Sequence, residues 1–178
     1  GKAKIGNLKK FSETVSYLES KQLRTTEDLD ALLNSMQEQI DALKESASGK
    51  QTRIKKLDEL LRMADYYQQG KPVADKLKTI RFDTFRQKYK AEHENVLRTF
   101  YMAERKLKNQ WVDGKLPVHA WRKEKSKLET EYQALQQKIA PLYADTKKLW
   151  SIHYSIYQVQ HEQERQNAVT RQKKQEIE

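Results

Sequence analysis

The sequence predicts an all-α fold of elongated antiparallel helical hairpins, a coiled coil or bundle with three to five helices. Three observations carry that expectation. Over residues 29–64 an apolar stripe repeats in 4-3-4-3 steps: Leu29, Leu33, Met36, Ile40, Leu43, Ala47, Ile54, Leu57, Leu61 and Ala64, with only Lys50 out of character. A second heptad stripe runs through Trp121, Leu128, Tyr132, Leu135, Ile139, Leu142, Leu149 and Ile156. A step averaging 3.5 residues keeps one seam of a helix facing a partner helix. The first stripe spans about 36 residues, which at 1.5 Å rise make a rod of roughly 54 Å, too long to bury itself in a compact globule. Composition is the third observation. With 34% charged residues, 5 Gly, 3 Pro and no Cys in 178, the chain suits long exposed helices with a narrow apolar seam.

The elements follow in order. A first helix is expected from about residue 7 to 20, with Leu8, Phe11, Val15 and Leu18 on one face. Residues 21–24 form a break, after which Thr25-Thr26-Glu27-Asp28 reads as an N-cap with an acidic first turn. The heptad rod reaches about Tyr67, and residues 46–50 around Gly49 are its weak spot, because an interior glycine costs up to about 1 kcal/mol against alanine. Gly70-Lys71-Pro72 reads as a turn, a C′ glycine followed by an N1 proline. A third helix is expected over 72–111, carrying Val73, Leu77, Ile80, Phe85, Tyr89, Val96, Phe100, Ala103 and Leu107. Its apolar phase drifts over 81–84, which admits a kink or a break into two helices. Residues 113–117 form the next turn. The last helix opens near Val118, is kinked mildly by Pro141, and frays in a polar tail from Glu162. The expected organisation is a short helix and connector over 1–24, a long-helix module over 25–161 and a polar tail over 162–178.

Charge is unevenly placed. Residues 1–69 hold 12 basic against 11 acidic side chains, residues 70–127 hold 16 against 7, and residues 128–178 hold 7 against 7. Nearly all of the net +10 therefore lies in the middle third. Lys71, Lys76, Lys78, Arg81, Arg86, Lys88, Lys90, Arg98, Arg105, Lys106, Lys108, Arg122 and Lys123 are the candidate nucleic-acid contacts, because neutralising phosphates releases counterions. The competing account of the same residues is a solvated helix face.

Sites for chemistry are poorly represented. His93, His119, His153 and His161 form no i, i+4 or His-x-His pair. Glu92-His93-Glu94 places its three side chains in different directions on a helix, so no metal site is expected. There is no glycine-rich phosphate loop, no nucleophile signature and no cofactor motif. Tyr66 and Tyr67, and Trp111, Trp121 and Trp150, read as packing residues rather than as nucleophiles or base-stacking platforms. No catalytic residue is assigned. No run approaches 18 apolar residues, so no membrane span is expected, and the lack of cysteine fits a reducing cytoplasm. Gly1 before Lys2 is expected to be a cloning remnant, in which case the chain is a fragment and the chemistry lies in the missing part.

One stretch carries a resemblance. Ala3-Lys4-Ile5-Gly6-Asn7-Leu8-Lys9-Lys10, with Thr14 and Tyr17-Leu18, resembles the segment that follows the nuclease domain in relaxase/mobilisation proteins of conjugative plasmids and integrative elements of Gram-positive, gut-type bacteria. Later landmarks are similar too: Glu27-Asp28-Leu29, Tyr67, Phe85-Arg86, Glu92-His93-Glu94 and Lys115-Leu116-Pro117. The match runs along about 150 residues, and its first dozen are the specific ones. The resemblance implies a non-catalytic C-terminal helical region of a DNA-nicking relaxase of the bacterial cytoplasm, whose nuclease domain lies upstream. The partners it implies are the DNA phosphate backbone and a relaxosome accessory or coupling protein; a homodimer is a separate expectation, from the heptad stripes. The alternative is a coiled-coil spacer or dimerisation module that does not touch DNA.

Overall fold

The computed structural model describes residues 12–175, and over them the chain is all-α. The segment 3–10, which carries the sharpest part of the resemblance, lies outside the described residues, as do residues 7–11 of the expected first helix. The helices are α1 (residues 12–20), α2 (Thr26–Thr79), α3 (Asp83–Glu92), α4 (Glu94–Leu107) and α5 (Val118–Gln175). Two compact units are distinguished, Gly1–Glu45 with Gln136–Glu178, and Ser46–Leu135.

The turn expected over 21–25 forms, with Gln22 at φ 58°. At the start of α2 the N-cap is a reciprocal box. Thr25 Oγ1 accepts from the Asp28 N–H at 3.1 Å, while Asp28 Oδ2 accepts from the N–H groups of Arg24 and Thr25, each at 3.1 Å. Donors that a helix start leaves without partners are thereby satisfied.

The turn expected at 69–72 does not form, and α2 runs unbroken through Gly49, Gly70 and Pro72 to Thr79. Gly70 serves a different purpose from a C-cap. It is buried, and a Cβ built on it would run into Phe100 Cβ, with Phe100 Cγ at 3.0 Å and Cδ2 at 3.1 Å. The missing side chain lets α2 and α4 approach closely. Pro72 is exposed and forgoes one backbone hydrogen bond, a cost the packing of α2 outweighs. The expected third helix over 72–111 is therefore the end of α2, then α3, then α4, which stops at Leu107.

Both interruptions have side-chain causes. Ile80, just past α2, offers its carbonyl to Arg86 Nη2 at 2.7 Å and Nε at 3.2 Å, which holds the corner before α3. His93 separates α3 from α4 at φ −116°, ψ 20°, with its ring stacked on Tyr89 at 4.1 Å. That break resets the helical phase, so Leu97 is 3% exposed while the expected core residue Val96 is 38% exposed. Phe85, also expected on the seam, is 65% exposed.

In the unit made by the chain ends, Leu29, Leu33 and Met36 of α2 pack against Leu149 and Ile152 of α5, with Tyr17, Leu18 and Leu23 closing one side. Asp30 pairs with His153 and Lys44 sits over Tyr143, so α2 and α5 run antiparallel there. In the middle unit Leu57, Met63 and Ala64 meet Ala103 and Leu107 of α4 and Trp121 of α5. A neighbouring cluster joins Ala74, Leu97 and Phe100, with Tyr67 stacked on Phe100 at 5.2 Å. Pairs Lys50–Glu131, Arg53–Glu124 and Asp58–Lys125 give the antiparallel order in this unit.

The polar members of the seams are all answered. Lys50 pairs with Glu131 and Lys125 with Asp58. Buried Thr146 donates to the Leu142 carbonyl at 2.7 Å, and His153 Nε2 lies 2.9 Å from Asp30 Oδ1. Lys125, Thr146 and His153 stand where the second heptad stripe skips. Polar seam residues with single partners fix a register that leucines alone leave open.

The turn between α4 and α5 is tight. Val112 and Lys115 exchange backbone hydrogen bonds at 2.9 Å, with Asp113 at φ 48° and Gly114 at φ 73°. Two positive φ angles on Asp-Gly define a type I′ turn. Here glycine's conformational freedom is required. From it α5 runs through Pro141 and on to Gln175, and no described helix is long and apolar enough to cross a membrane.

Candidate nucleic-acid interface

All thirteen basic candidates fall within the middle unit, Ser46–Leu135. Lys71, Lys76 and Lys78 lie on the last part of α2, Arg81 in the link after it, and Arg86, Lys88 and Lys90 on α3. Arg98, Arg105 and Lys106 belong to α4, Lys108 follows it, and Arg122 and Lys123 sit near the start of α5.

Several of them already have work inside the fold. Lys71 donates to Asp75 Oδ2 at 2.9 Å, and Lys78 approaches the same carboxylate at 3.8 Å. The Lys71–Asp75 hydrogen bond pushes the lysine pKa up and holds the aspartate down. Lys106 pairs with Glu59, and that hydrogen bond lowers the Glu59 pKa. Arg86 holds the Ile80 carbonyl and pairs with Asp83 at 3.3 Å. Arg98 bonds Asn95 Oδ1 at 3.2 Å, and Arg105 bonds the Tyr101 carbonyl at 3.3 Å. Lys76, Lys78, Lys90, Arg105 and Lys106 stand in the last turns of their helices, where a cation offsets the negative end of the helix dipole.

The rest of the charge is concentrated around α3. Lys76 Nζ lies 5.2 Å from the Tyr89 ring centroid, and Arg86 reaches Ile80, so α3 is tied back to the end of α2. These ties bring Lys76, Lys78, Arg81, Arg86, Lys88 and Lys90 to one corner. No residue of α3 is buried. Arg81, Lys88 and Lys90 are exposed, and none of them is engaged by a described carboxylate within ion-pair distance. Arg98, Arg105 and Lys106 continue along α4 with Lys108 just past it, while Arg122 and Lys123 follow buried Trp121 on α5.

One feature of this corner escaped sequence reasoning. Phe82 and Phe85 are 72% and 65% exposed, their rings edge to face at 6.3 Å. Assigning Phe85 to a continuous helical seam hid it. Arg81 interposed before two phenylalanines at i, i+3 was the available signal.

Of the remaining candidates Tyr66, Tyr67 and Trp121 are packing residues, while Trp111 is 39% exposed. Tyr67 stacks on Phe100 and meets the edge of Trp111 at 5.3 Å, Tyr66 borders the Leu57 cluster, and Trp121 is buried. Trp150 departs from the expected anchoring role and is 51% exposed, because it lies one residue past the seam position Leu149. Glu92, His93 and Glu94 span the α3–α4 break, with His93 Nδ1 3.0 Å from the Tyr89 carbonyl. Among the described residues no group of three His, Asp or Glu side chains is placed to hold a metal ion. No protein-family model, curated protein or solved structure matches this chain.

Proposed function

We propose that the chain is a non-catalytic helical module that contacts nucleic acid through phosphates, as the C-terminal region of a conjugative relaxase would. The observation that carries this reading is the corner at α3. An otherwise buried-seam architecture there leaves a short helix with no buried residue, which carries unengaged Lys88 and Lys90 and follows Arg81, and at whose start lie two solvent-facing phenylalanines. Cations that stabilise a fold are normally found beside carboxylates, as Lys71, Lys78 and Lys106 are here. Phosphate contacts position a protein without reading bases, so sequence preference is slight. Phe82 and Phe85 offer ring faces to unpaired bases, which favours single strands over duplex.

The test is a titration of fluorescent oligonucleotides at several salt concentrations. If about four to six phosphates are engaged, the log–log slope of affinity against salt is roughly −3 to −5. No binding at low salt, or binding indifferent to salt, removes this reading.

A second reading has its own support. The paired cations Lys50, Arg53, Lys106 and Lys125 brace one helix against another, as a structural spacer or docking rod requires. A relaxosome accessory or coupling protein would then be the partner.

A further inference from the structure

The second heptad stripe of α5 has a neighbour that the seam does not use. One residue beyond the seam positions Leu142, Thr146, Leu149, His153 and Ile156 lie Tyr143, Lys147, Trp150, Tyr154 and Tyr157, followed by His161. A one-residue shift turns about 100° around the helix, so these six share a face of their own. That face is open. Tyr143 is 55% exposed, Trp150 51%, Tyr154 63% and Tyr157 53%. Lys44 covers one side of Tyr143 at 5.0 Å, and His161 meets the edge of Tyr157 at 5.6 Å. A row of large aromatic side chains left in water at 4-3-4-3-4 spacing is the pattern of a helix lacking its second partner.

The spacing also says what that partner is. Steps of 4-3-4-3-4 read the same in both directions about residue 152. A two-fold axis at that point therefore sets every member opposite another member of the same row in a second, antiparallel copy. Trp150 then faces Tyr154, an aromatic pair. Lys147 faces Tyr157, a cation–π pair, and Tyr143 faces His161. No like charges meet. Lys147 and Lys148 are the only Lys, Arg, Asp or Glu residues between 146 and 161, and Lys148 is already held over the Tyr17 ring at 3.8 Å. On the far side of the row Lys148, Ser151 and Ser155 border α1, near Tyr17 and Leu18, so α1 closes that side and the row itself is the open face.

We infer that this row is the contact face of a homodimer, formed by antiparallel packing of α5 on α5 of a second copy. Four half-exposed aromatic side chains bury about 400 Å² per copy, roughly 800 Å² in all, below the size of stable specific interfaces and in the range of weak, transient ones. The dimer is therefore weak and concentration dependent. The inference rests on the unit made by the chain ends and is independent of nucleic-acid binding.

Sedimentation of the full chain from about 1 µM to several hundred micromolar tests it, since weak interfaces dissociate in that range. The expected result is a reversible monomer–dimer equilibrium that Trp150→Glu and Tyr154→Glu each weaken at least about tenfold, with helicity unchanged because both side chains are already exposed. A chain that stays monomeric throughout, or a dimer indifferent to both substitutions, overturns the inference. Geometry is read separately. The chain has no native cysteine, so Ser151→Cys is a unique thiol lying about 3 Å along the helix axis from its own copy at the two-fold. A short bis-maleimide should link it to dimer, while Ser126→Cys, on the same helix outside the row, should not link. Equal linking at both positions also overturns the two-fold.

Discussion

Gly49 and Gly70 lie on the same helix, and replacing each with alanine should move stability in opposite directions. Alanine in a helix interior gains about 0.5–1 kcal/mol over glycine by reducing the freedom of the unfolded chain. At Gly49 nothing lies within 4 Å of a new Cβ, so Gly49→Ala should keep that gain in full. At Gly70 the same gain is opposed by collision with Phe100, whose nearest atom is its Cβ. A Cβ is fixed to the backbone, so no rotamer change of the ring relieves the clash. Overpacking of this kind costs about 1–3 kcal/mol. The propensity gain cancels between the two variants, and their difference is the clash itself. At about 2–4 °C per kcal/mol for a chain of this length, Gly70→Ala should melt at least about 2 °C below Gly49→Ala. Thermal and urea unfolding followed by far-ultraviolet circular dichroism supply the comparison. Equal stabilisation by both substitutions would refute the close approach of α2 and α4.

Three further outcomes follow from the packing, the ion pairs and the exposed rings. Leu149→Ala removes a side chain with 0% exposure and should cost about 2–5 kcal/mol, while Trp150→Ala next to it should cost under about 1, as read by chemical denaturation. Glu124, held down by its hydrogen bonds from Arg53, and Glu131, held down by Lys50, have folded pKa values below the ordinary 4.5. The stability they contribute is complete above that value and is lost as pH falls through the lower folded pKa, so melting temperature should be flat above about pH 5 and drop below 4.5; Glu124→Gln should shrink that drop. Phe82→Ala with Phe85→Ala should weaken single-stranded DNA by about 1–3 kcal/mol per stacked base and leave duplex affinity nearly unchanged, and equal losses on both would remove the stacking role.

The heptad spacing made much of the fold legible. Leu29, Leu33, Met36, Ile40, Ala47, Leu57 and Ala64 are all buried, because a 3.5-residue repeat specifies one face whatever the partner. Thr25 and Asp28 announced the cap, and Asp113-Gly114 the tight turn, through local chemistry that needs no tertiary context. Gly70-Lys71-Pro72 misled for a physical reason. Punctuation residues report local backbone preference, whereas the close approach of Phe100 to Gly70 is set by sequence about thirty residues away. The break at His93 carries no glycine or proline, so it was illegible, and the phase beyond it was misjudged at Val96. For the site, the middle third was legible as basic. Which cations are free was not, since the carboxylates holding Lys106 and Lys125 come from Glu59 and Asp58 on another helix.

The central claim is that the α3 corner, rather than positive charge in general, contacts nucleic acid. Fluorescence anisotropy of a labelled oligonucleotide at low salt tests it with two variants of equal net charge. Arg81, Lys88 and Lys90 changed to Glu empty the corner while sparing Arg86, whose guanidinium holds the Ile80 carbonyl. Lys55, Lys56 and Lys138 changed to Glu remove the same charge from exposed positions elsewhere on α2 and α5. The first variant should lose at least about tenfold in affinity and the second no more than about twofold, with circular dichroism unchanged in both. Equal losses, or none in either, would contradict the account and leave a helical spacer in its place.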